Sequence, residues 1–316
     1  MLDVKQLRVL REVAAHGSFS AAAEALSYTQ PAISQQIASL EKRVGSTLVE
    51  RTSRGVRLTD AGRALVDHAE VVLARLSAAE AELEAIAGVR GGRVRLSSFP
   101  TAGASILPPA VALFTKRHPE VELGFTEREP EEAVQMLRAA ELELALVFDY
   151  RHLPHTDFAR LYDGIELHHL IDDPMYLALP RAHPVARKPR VRLEDVAEET
   201  WIQEADASSP CGRLHTAACA AAGFEPRIGF QSDDYNVVQG LVAAGVGVSL
   251  LPSLALTNVR EDIVVRSLGR RAPARQIAVA SVAGRYRSPA TDAMLDILHE
   301  VAARFVLPSG SAESAA

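Results

Sequence analysis

Cysteine is scarce in this chain: Cys211 and Cys219 are the only two among 316 residues. Two cysteines make no disulfide framework, which agrees with a reducing compartment. No apolar run of about eighteen residues occurs, so no membrane span is expected. The N-terminus, Met1-Leu2-Asp3-Val4-Lys5, lacks the charged-then-apolar order of a secretory signal. A cytoplasmic protein is the expectation. Missing too are Cys-x-x-Cys, Gly-x-Ser-x-Gly, a phosphate-binding glycine loop and any metal-ligand spacing. His168-His169 has no spaced partner and reads as a half-exposed strand pair. Nothing in the sequence therefore supports an enzyme, a metal or a cofactor.

What is present is a chain 48 % apolar, long enough for two or three domains with real cores. Its net charge of −6 is unevenly spread. Residues 1–63 hold nine Lys/Arg against six Asp/Glu, net +3, and residues 64–316 hold twenty-five against thirty-four, net −9. The basic part coincides with the most patterned stretch. Val4, Leu7, Leu10 and Val13 step by three and predict a helix over about 3–15, ended by His16-Gly17. Ser18 is an N-cap signal for a short Ala-rich helix, broken at Ser27-Tyr28-Thr29. Thr29 or Gln30 can cap a second helix with Pro31 in its first turn. Ile33, Ile37 and Leu40 form its buried face, so Gln30, Ser34, Gln35, Gln36 and Ser39 point elsewhere. Two short helices joined by a tight turn, the second carrying a row of amides and hydroxyls, make a helix-turn-helix. Gln offers donor and acceptor together, which suits adenine edges in the major groove. Thr47–Glu50, a turn at Arg51–Gly55 and a return at Val56–Leu58 form a wing whose arginines suit phosphate.

This segment resembles the winged helix-turn-helix of the LysR-type transcriptional regulators. The matching residues are Phe19-Ser20-Ala21-Ala22-Ala23, Gln30 through Ile37, Leu40-Glu41, Arg51 and Leu58-Thr59-Asp60-Ala61-Gly62. Val49 departs from the Phe usual in the family, a change expected to affect packing under the wing. The candidate DNA-facing set is Ser20, Thr29, Gln30, Pro31, Ser34, Gln35, Gln36, Arg51 and Arg54.

From Asp60 to Gly88 the composition favours helix. Leu65, Ala69, Val72, Leu76, Ala79, Leu83 and Ile86 recur at alternating four and three, a coiled-coil seam. Its expected dimer contacts are Leu65, Val72, Leu76, Leu83 and Ile86; the alternative is a helix lying on its own domain. The resemblance implies a linker helix that pairs subunits, a homodimer or homotetramer, and contact with RNA polymerase if the protein activates. Pairing would present two recognition helices to two half-sites of duplex promoter DNA.

Beyond residue 91 strands alternate with helices, which predicts a mostly parallel sheet. A helix is expected over Ala104–His118 and a strand over Leu142–Phe148. Two lobes joined by crossovers near Glu166 and Gly269 resemble the periplasmic-binding-protein-like effector domain of the same family. The matching stretches are Leu107-Pro108, His118–Val121 and Gly240–Pro252. Glu143 stands where the family usually has Asp, an expected surface change. The expected domains are 1–59 (DNA-binding), 60–90 (linker) and 91–308 (effector), followed by a disordered tail at 309–316. Within the effector domain, lobe I is about 91–166 and 270–308, and lobe II is about 167–269.

Ligands in open α/β sheets bind beyond the carboxyl ends of strands. Ser98 and Thr101 hydroxyls, with free N–H groups at Ala102 and Gly103, would suit a carboxylate or similar anion; simple helix capping is the alternative. Phe148, Gln203, Asp233 and Gly247 are the next candidates for an effector cleft, although Phe148 also reads as core. If Asp233 faces the cleft, it disfavours a purely anionic ligand on that side. Peroxide-sensing members of the resembling family carry two cysteines in this region. Cys211 and Cys219, however, lie eight helical residues and about 12 Å apart, whereas a disulfide needs Cα atoms within about 7 Å. The expected function is an effector-controlled, sequence-specific DNA-binding regulator. A redox sensor using the cysteine pair and a binding protein without DNA are the alternatives.

Overall fold

The computed structural model describes residues 2–52, 55–86, 92–149, 158–206, 209–269 and 272–305. Arg54, the side chains of Arg51 and Ile86, and the expected tail at 309–316 lie outside what is described.

Helix α1 (Val4–His16) starts at Asp3, whose carboxylate accepts the Lys5 N–H at 2.8 Å, and stops at Gly17 in the left-handed region. Ser18 caps α2 (Phe19–Ala25) by accepting the Ala21 N–H at 3.4 Å. Helix α3 (Gln30–Val44) follows a turn in which Ser27 takes φ 56°. Ile33, Ile37 and Leu40 are buried with Leu10, Val13, Ala22, Leu48 and Val49 in one core. Strands β1 (Val49–Thr52) and β2 (Gly55–Leu58) pair antiparallel as the wing, Val49 opposite Leu58.

The motif residues outside α3 close this unit. Glu41 accepts the N–H groups of Leu48 (2.8 Å) and Val49 (3.2 Å), pinning the wing to α3. Thr59 Oγ1 donates to the Thr47 carbonyl at 2.7 Å and accepts the Gly62 N–H at 3.0 Å. A Cβ on Gly62 would lie 2.1 Å from the Leu48 carbonyl oxygen, so backbone meets backbone there and only glycine fits.

Helix α4 (Asp60–Ile86) carries two apolar stripes. Val66, Ala69, Leu73 and Ala74 are buried, Val66 within the N-terminal core. Val72, Leu76 and Leu83 are exposed. The expected seam is therefore divided: Leu65 and Ala69 are taken up by the chain's own packing, and the outward stripe runs from Val72 onward.

The remaining elements are β3 (Gly92–Ser98), α5 (Pro100–Ser105), α6 (Leu107–Arg117), β4 (Val121–Glu127), α7 (Pro130–Arg138), β5 (Leu144–Asp149), α8 (Phe158–Leu161), β6 (Ile165–Pro180), β7 (Thr200–Gln203), α9 (Pro210–Ala221), β8 (Arg227–Gln231), α10 (Tyr235–Ala243), β9 (Ser249–Pro252), β10 (Ile263–Ser267), β11 (Ala274–Val282) and α11 (Pro289–Arg304). The single helix expected over Ala104–His118 is split into α5 and α6. Pro108 and Pro109 lack the N–H groups that would continue α5. Glu143 is no surface change: it clasps Arg95, with Oε1 2.6 Å from Nη2 and Oε2 accepting the Arg95 N–H at 2.6 Å.

The main sheet runs β10-β6-β11-β5-β3-β4, with β9 also on β6. It is mixed rather than mostly parallel. Strands β4, β3 and β5 are parallel, whereas β11, β6, β9 and β10 pair antiparallel. Strands β7 and β8 form a separate parallel pair. Strand β6 belongs to both lobes: up to Pro174 it pairs with β11, and from Met175 with β9 and β10. The first crossover is thus at Asp172–Pro174, not near Glu166.

At that crossover Asp173 and Arg275 are direct neighbours across β6 and β11. Arg275 Nε donates to Asp173 Oδ2 at 2.7 Å, and both residues are essentially out of water, 2 % and 0 % exposed. Asp173 Oδ1 accepts Ser253 Oγ–H (2.5 Å) and Leu254 N–H (3.0 Å) from lobe II. Arg275 Nη2 donates to Thr101 Oγ1 at 2.6 Å in lobe I. Its guanidinium lies over Phe99 (5.0 Å) and Phe148 (5.2 Å), which meet edge to face.

Two expectations follow. Gly62→Ala should lower stability by about 1–3 kcal/mol through overpacking, seen as an earlier thermal transition with loss of helical signal; an unchanged midpoint would contradict the close approach. Arg275→Met should cost about 3–5 kcal/mol by stranding Asp173 in a dry site. The double variant Arg275→Met with Asp173→Asn should recover part of that loss in urea titrations, and strict additivity would contradict the pairing.

Candidate functional site

Two regions collect polar side chains away from the cores. The first is the outer face of α3. Burying Ile33, Ile37 and Leu40 leaves Thr29, Pro31, Gln35 and Gln36 exposed, with Gln30 and Ser34 half-buried and Ser20 exposed on α2. Thr29 stands at the N-cap position but makes no side-chain cap bond. Ser39 departs from the expected row, since it accepts Gln6 Nε2–H at 3.2 Å and ties α3 to α1. Arg51 pairs opposite Val56 in the wing, and Arg57 on the return strand is exposed.

The second is a cavity of about 880 Å³ between the lobes, at the ends of β3, β4 and β5. Thr101, Phe148 and Asp233 line it, as the sequence suggests. Ser98, Ala102, Gln203 and Gly247 do not line it, each for a physical reason. Ser98 is wholly buried and donates to the Phe99 carbonyl at 3.0 Å. Ala102 is wholly buried, and the neighbouring Gly103 N–H is spent on the Phe99 carbonyl at 2.9 Å. Gln203 turns inward to donate to the Gly212 carbonyl at 2.8 Å. A Cβ on Gly247 would sit 2.6 Å from the Thr200 carbonyl oxygen, so this glycine serves the approach of two backbones in lobe II. The expected cradle of hydroxyls and amides is therefore not assembled: the Ser98 hydroxyl and the Gly103 N–H are spent inside the protein, and Thr101 Oγ1 accepts Arg275.

Charge dominates the lining instead. Five carboxylates face the cavity, Glu129, Glu131, Glu204, Asp206 and Asp233, against the guanidiniums of Arg160, Arg213 and Arg275, among the described residues. Asp233 Oδ1 accepts the Ala205 N–H at 2.9 Å. Protein surrounding Glu129, and then the charge of Glu204, pushes its carboxyl pKa up to about 7. Arg275 opposes this, and Glu131 and Glu127 add to it. Glu129, Glu204 and Arg275 escaped the sequence reading. The rule that ligands gather at strand ends would have found Glu129, which follows β4 and precedes Pro130. A lone Arg275 in an apolar strand gives no signal.

Helix α7 begins beside this cavity and ends at the N-terminal domain. Its last carbonyls, and those just beyond, are taken by three arginines from separate segments. Arg285 donates to Leu137 (2.8 Å) and Arg138 (3.2 Å), Arg95 to Ala140 (2.7 Å) and Arg11 of α1 to Ala139 (3.1 Å). Cations at a helix C-terminus also meet its dipole favourably.

Cys211 lines the cavity, and Cys219 lies fully buried on the same unbroken helix α9. Burial pushes the Cys219 thiol up to about 12. Their eight-residue helical separation keeps them beyond disulfide reach, so the regulator reading holds over the redox alternative. No helix among the described residues is long and apolar enough to cross a membrane.

The bacterial regulatory helix-turn-helix profile of the lysR family matches residues 4–63, and the LysR substrate binding domain profile matches residues 87–303. The HTH-type transcriptional regulator AlsR of Bacillus subtilis is 29 % identical over 84 % of this chain and 86 % of its own. The hydrogen peroxide-inducible genes activator of Dickeya chrysanthemi is 28 % identical over 90 % and 92 %. Full-length OxyR from Pseudomonas aeruginosa shares the fold with TM-score 0.72 at 22 % identity, covering 94 % of this chain and 95 % of that one. CbnR solved with its target DNA gives 0.54 at 24 %, covering 95 % and 100 %. With a basic winged helix-turn-helix, a long helix and a two-lobed α/β unit in sequence, the chain belongs to the LysR family of transcriptional regulators.

Proposed function

We propose that this regulator reads duplex promoter DNA through Gln30, Ser34, Gln35 and Gln36 of α3, with Ser20, Thr29 and Pro31 beside the backbone and Arg51 and Arg54 on phosphates. The observation that carries this reading is the division of α3: its aliphatic face is sealed in the core while its amides stand in water within the net-positive part of the chain. Amides read base edges and arginines hold phosphate. The exposed stripe Val72, Leu76 and Leu83 supports pairing of two copies through α4, without the inward-packed Leu65, and further assembly into a tetramer. Residues 1–59, 60–90 and 91–308 act as DNA-binding, pairing and sensing units in the cytoplasm. The chain regulates and does not catalyse; AlsR and the other relatives are named as regulators. An activator would also contact RNA polymerase.

A small molecule between the lobes is the control. It acts only through unequal affinity for two lobe arrangements. Helix α7 is suited to pass the difference on, since its first turn faces the cavity and Arg11 of α1 holds the carbonyl just past its last turn. A shift of α7 therefore moves a bond to the helix that packs under α3.

The base-reading and phosphate roles separate experimentally. In promoter-binding titrations Gln35→Ala should change the order of preference among operator variants by about 1–3 kcal/mol at one position, whereas Arg54→Ala should weaken all duplexes alike and flatten the salt slope by about one. Equal loss on every sequence from Gln35→Ala contradicts the assignment.

A further inference from the structure

The cavity between the lobes has an electrostatic character that narrows what it can hold. Two features of its wall are incomplete in the protein alone. At one, among the described residues, carboxylates outnumber the cations able to meet them. Glu129 has Glu131 on its own helix, Glu127 on β4 and Glu204 beyond β7 acting on it, all of one sign. Among the described residues the opposing charge is Arg275, and that guanidinium is committed to Asp173 and Thr101 and packed over two phenyl rings. At the other, Arg213 lines the same cavity with its Nε buried and without a hydrogen-bond partner. An unpaired buried donor is costly, and like charges crowded in a cleft repel one another even where, as at Glu129, the side chain is exposed. Of the hydroxyl and amide groups that would favour a purely anionic ligand, the Ser98 hydroxyl and the Gly103 N–H are consumed inside the protein.

We infer that the effector is zwitterionic: an ammonium or comparable organic cation meets Glu129 and Glu204, and a carboxylate or comparable anion meets Arg213. This rests on the cavity being the effector site. Neither end alone completes the wall, since a simple dicarboxylate adds charge of the sign already in excess, and a simple diamine brings no anion to the Arg213 guanidinium. The volume of about 880 Å³ accommodates a metabolite of this kind with space for lobe closure.

Proton linkage gives the inference a signature. Glu129 titrates at about 7, so roughly one-tenth of it is ionised at about pH 6 and nine-tenths at about pH 8. An aliphatic ammonium, like that of lysine at about 10.4, stays charged throughout. Affinity that needs the Glu129 carboxylate therefore rises about tenfold over that interval.

Three four-carbon probes differ only in their end groups: 4-aminobutyrate (one of each sign), putrescine (two cations) and succinate (two anions). Calorimetric titration of the full chain should rank 4-aminobutyrate first, with affinity rising about tenfold from pH 6 to pH 8. Glu129→Gln should abolish that rise and weaken 4-aminobutyrate and putrescine without weakening succinate. Arg213→Gln should weaken 4-aminobutyrate and succinate while leaving putrescine unchanged. Tighter binding of succinate, indifference of 4-aminobutyrate to Glu129→Gln, or no heat from any probe would overturn the inference. Succinate binding tighter than that of 4-aminobutyrate and removed by Arg213→Gln would overturn the zwitterion while keeping the cavity as the effector site; binding of any probe that neither variant alters would count against the site itself.

Discussion

Arg275 and Asp173 form the contact on which the arrangement of the sensing half depends. Burying two charges is costly, and the cost is offset here because both Asp173 oxygens and the Nε and Nη2 of Arg275 are hydrogen-bonded. Asp173 holds a hydroxyl and an amide of lobe II, and Arg275 reaches a hydroxyl and two aromatic rings of lobe I. The pair sits where β6 leaves one set of neighbours for another, so it fixes the pivot between lobes without filling the cavity beside it. An apolar pair of equal volume could pack there, but it would not hold Ser253, Leu254 and Thr101 at defined angles.

From this pivot the logic of the molecule runs along α7. One end of the helix meets a wall where, among the described residues, carboxylates outnumber guanidiniums; the other is held by arginines from α1, β3 and the segment after β11. A helix of nine residues is too short to bend much over about 13 Å, so displacement at one end is felt at the other. Helix α4 offers the second connection, with its inner stripe joined to the N-terminal core and its outer stripe open to a second copy. Sensing, pairing and DNA reading thus share two helices, which makes independent motion of the three units costly.

The sequence displayed the N-terminal unit well and the pivot poorly. Ile33, Ile37 and Leu40 announce α3 because a helix face repeats every three or four residues, and Ser18 announces its cap chemically. Gly62 and Glu41 were visible as motif letters, but their reasons, a backbone collision and two captured N–H groups, exist only in three dimensions. The crossover expected near Glu166 lies instead at Asp172-Asp173-Pro174, inside a continuous strand, because a strand that changes partners keeps the same local pattern on both sides. Ser98 and Gln203 were placed at the cavity because a polar residue at a strand end looks alike whether it turns in or out. Long-range pairs such as Arg275 with Asp173, 102 positions apart, leave no local trace at all.

The central claim is that the cavity wall and the DNA face are two ends of one coupled structure, and coupling free energies are reciprocal. The most direct measurement is amide hydrogen exchange of the full chain with and without its upstream promoter duplex. The account predicts slower exchange in α3 together with altered exchange in α7 and in the cavity segments around Glu204 and Tyr235, far from the duplex. Changes confined to the first sixty or so residues would contradict it.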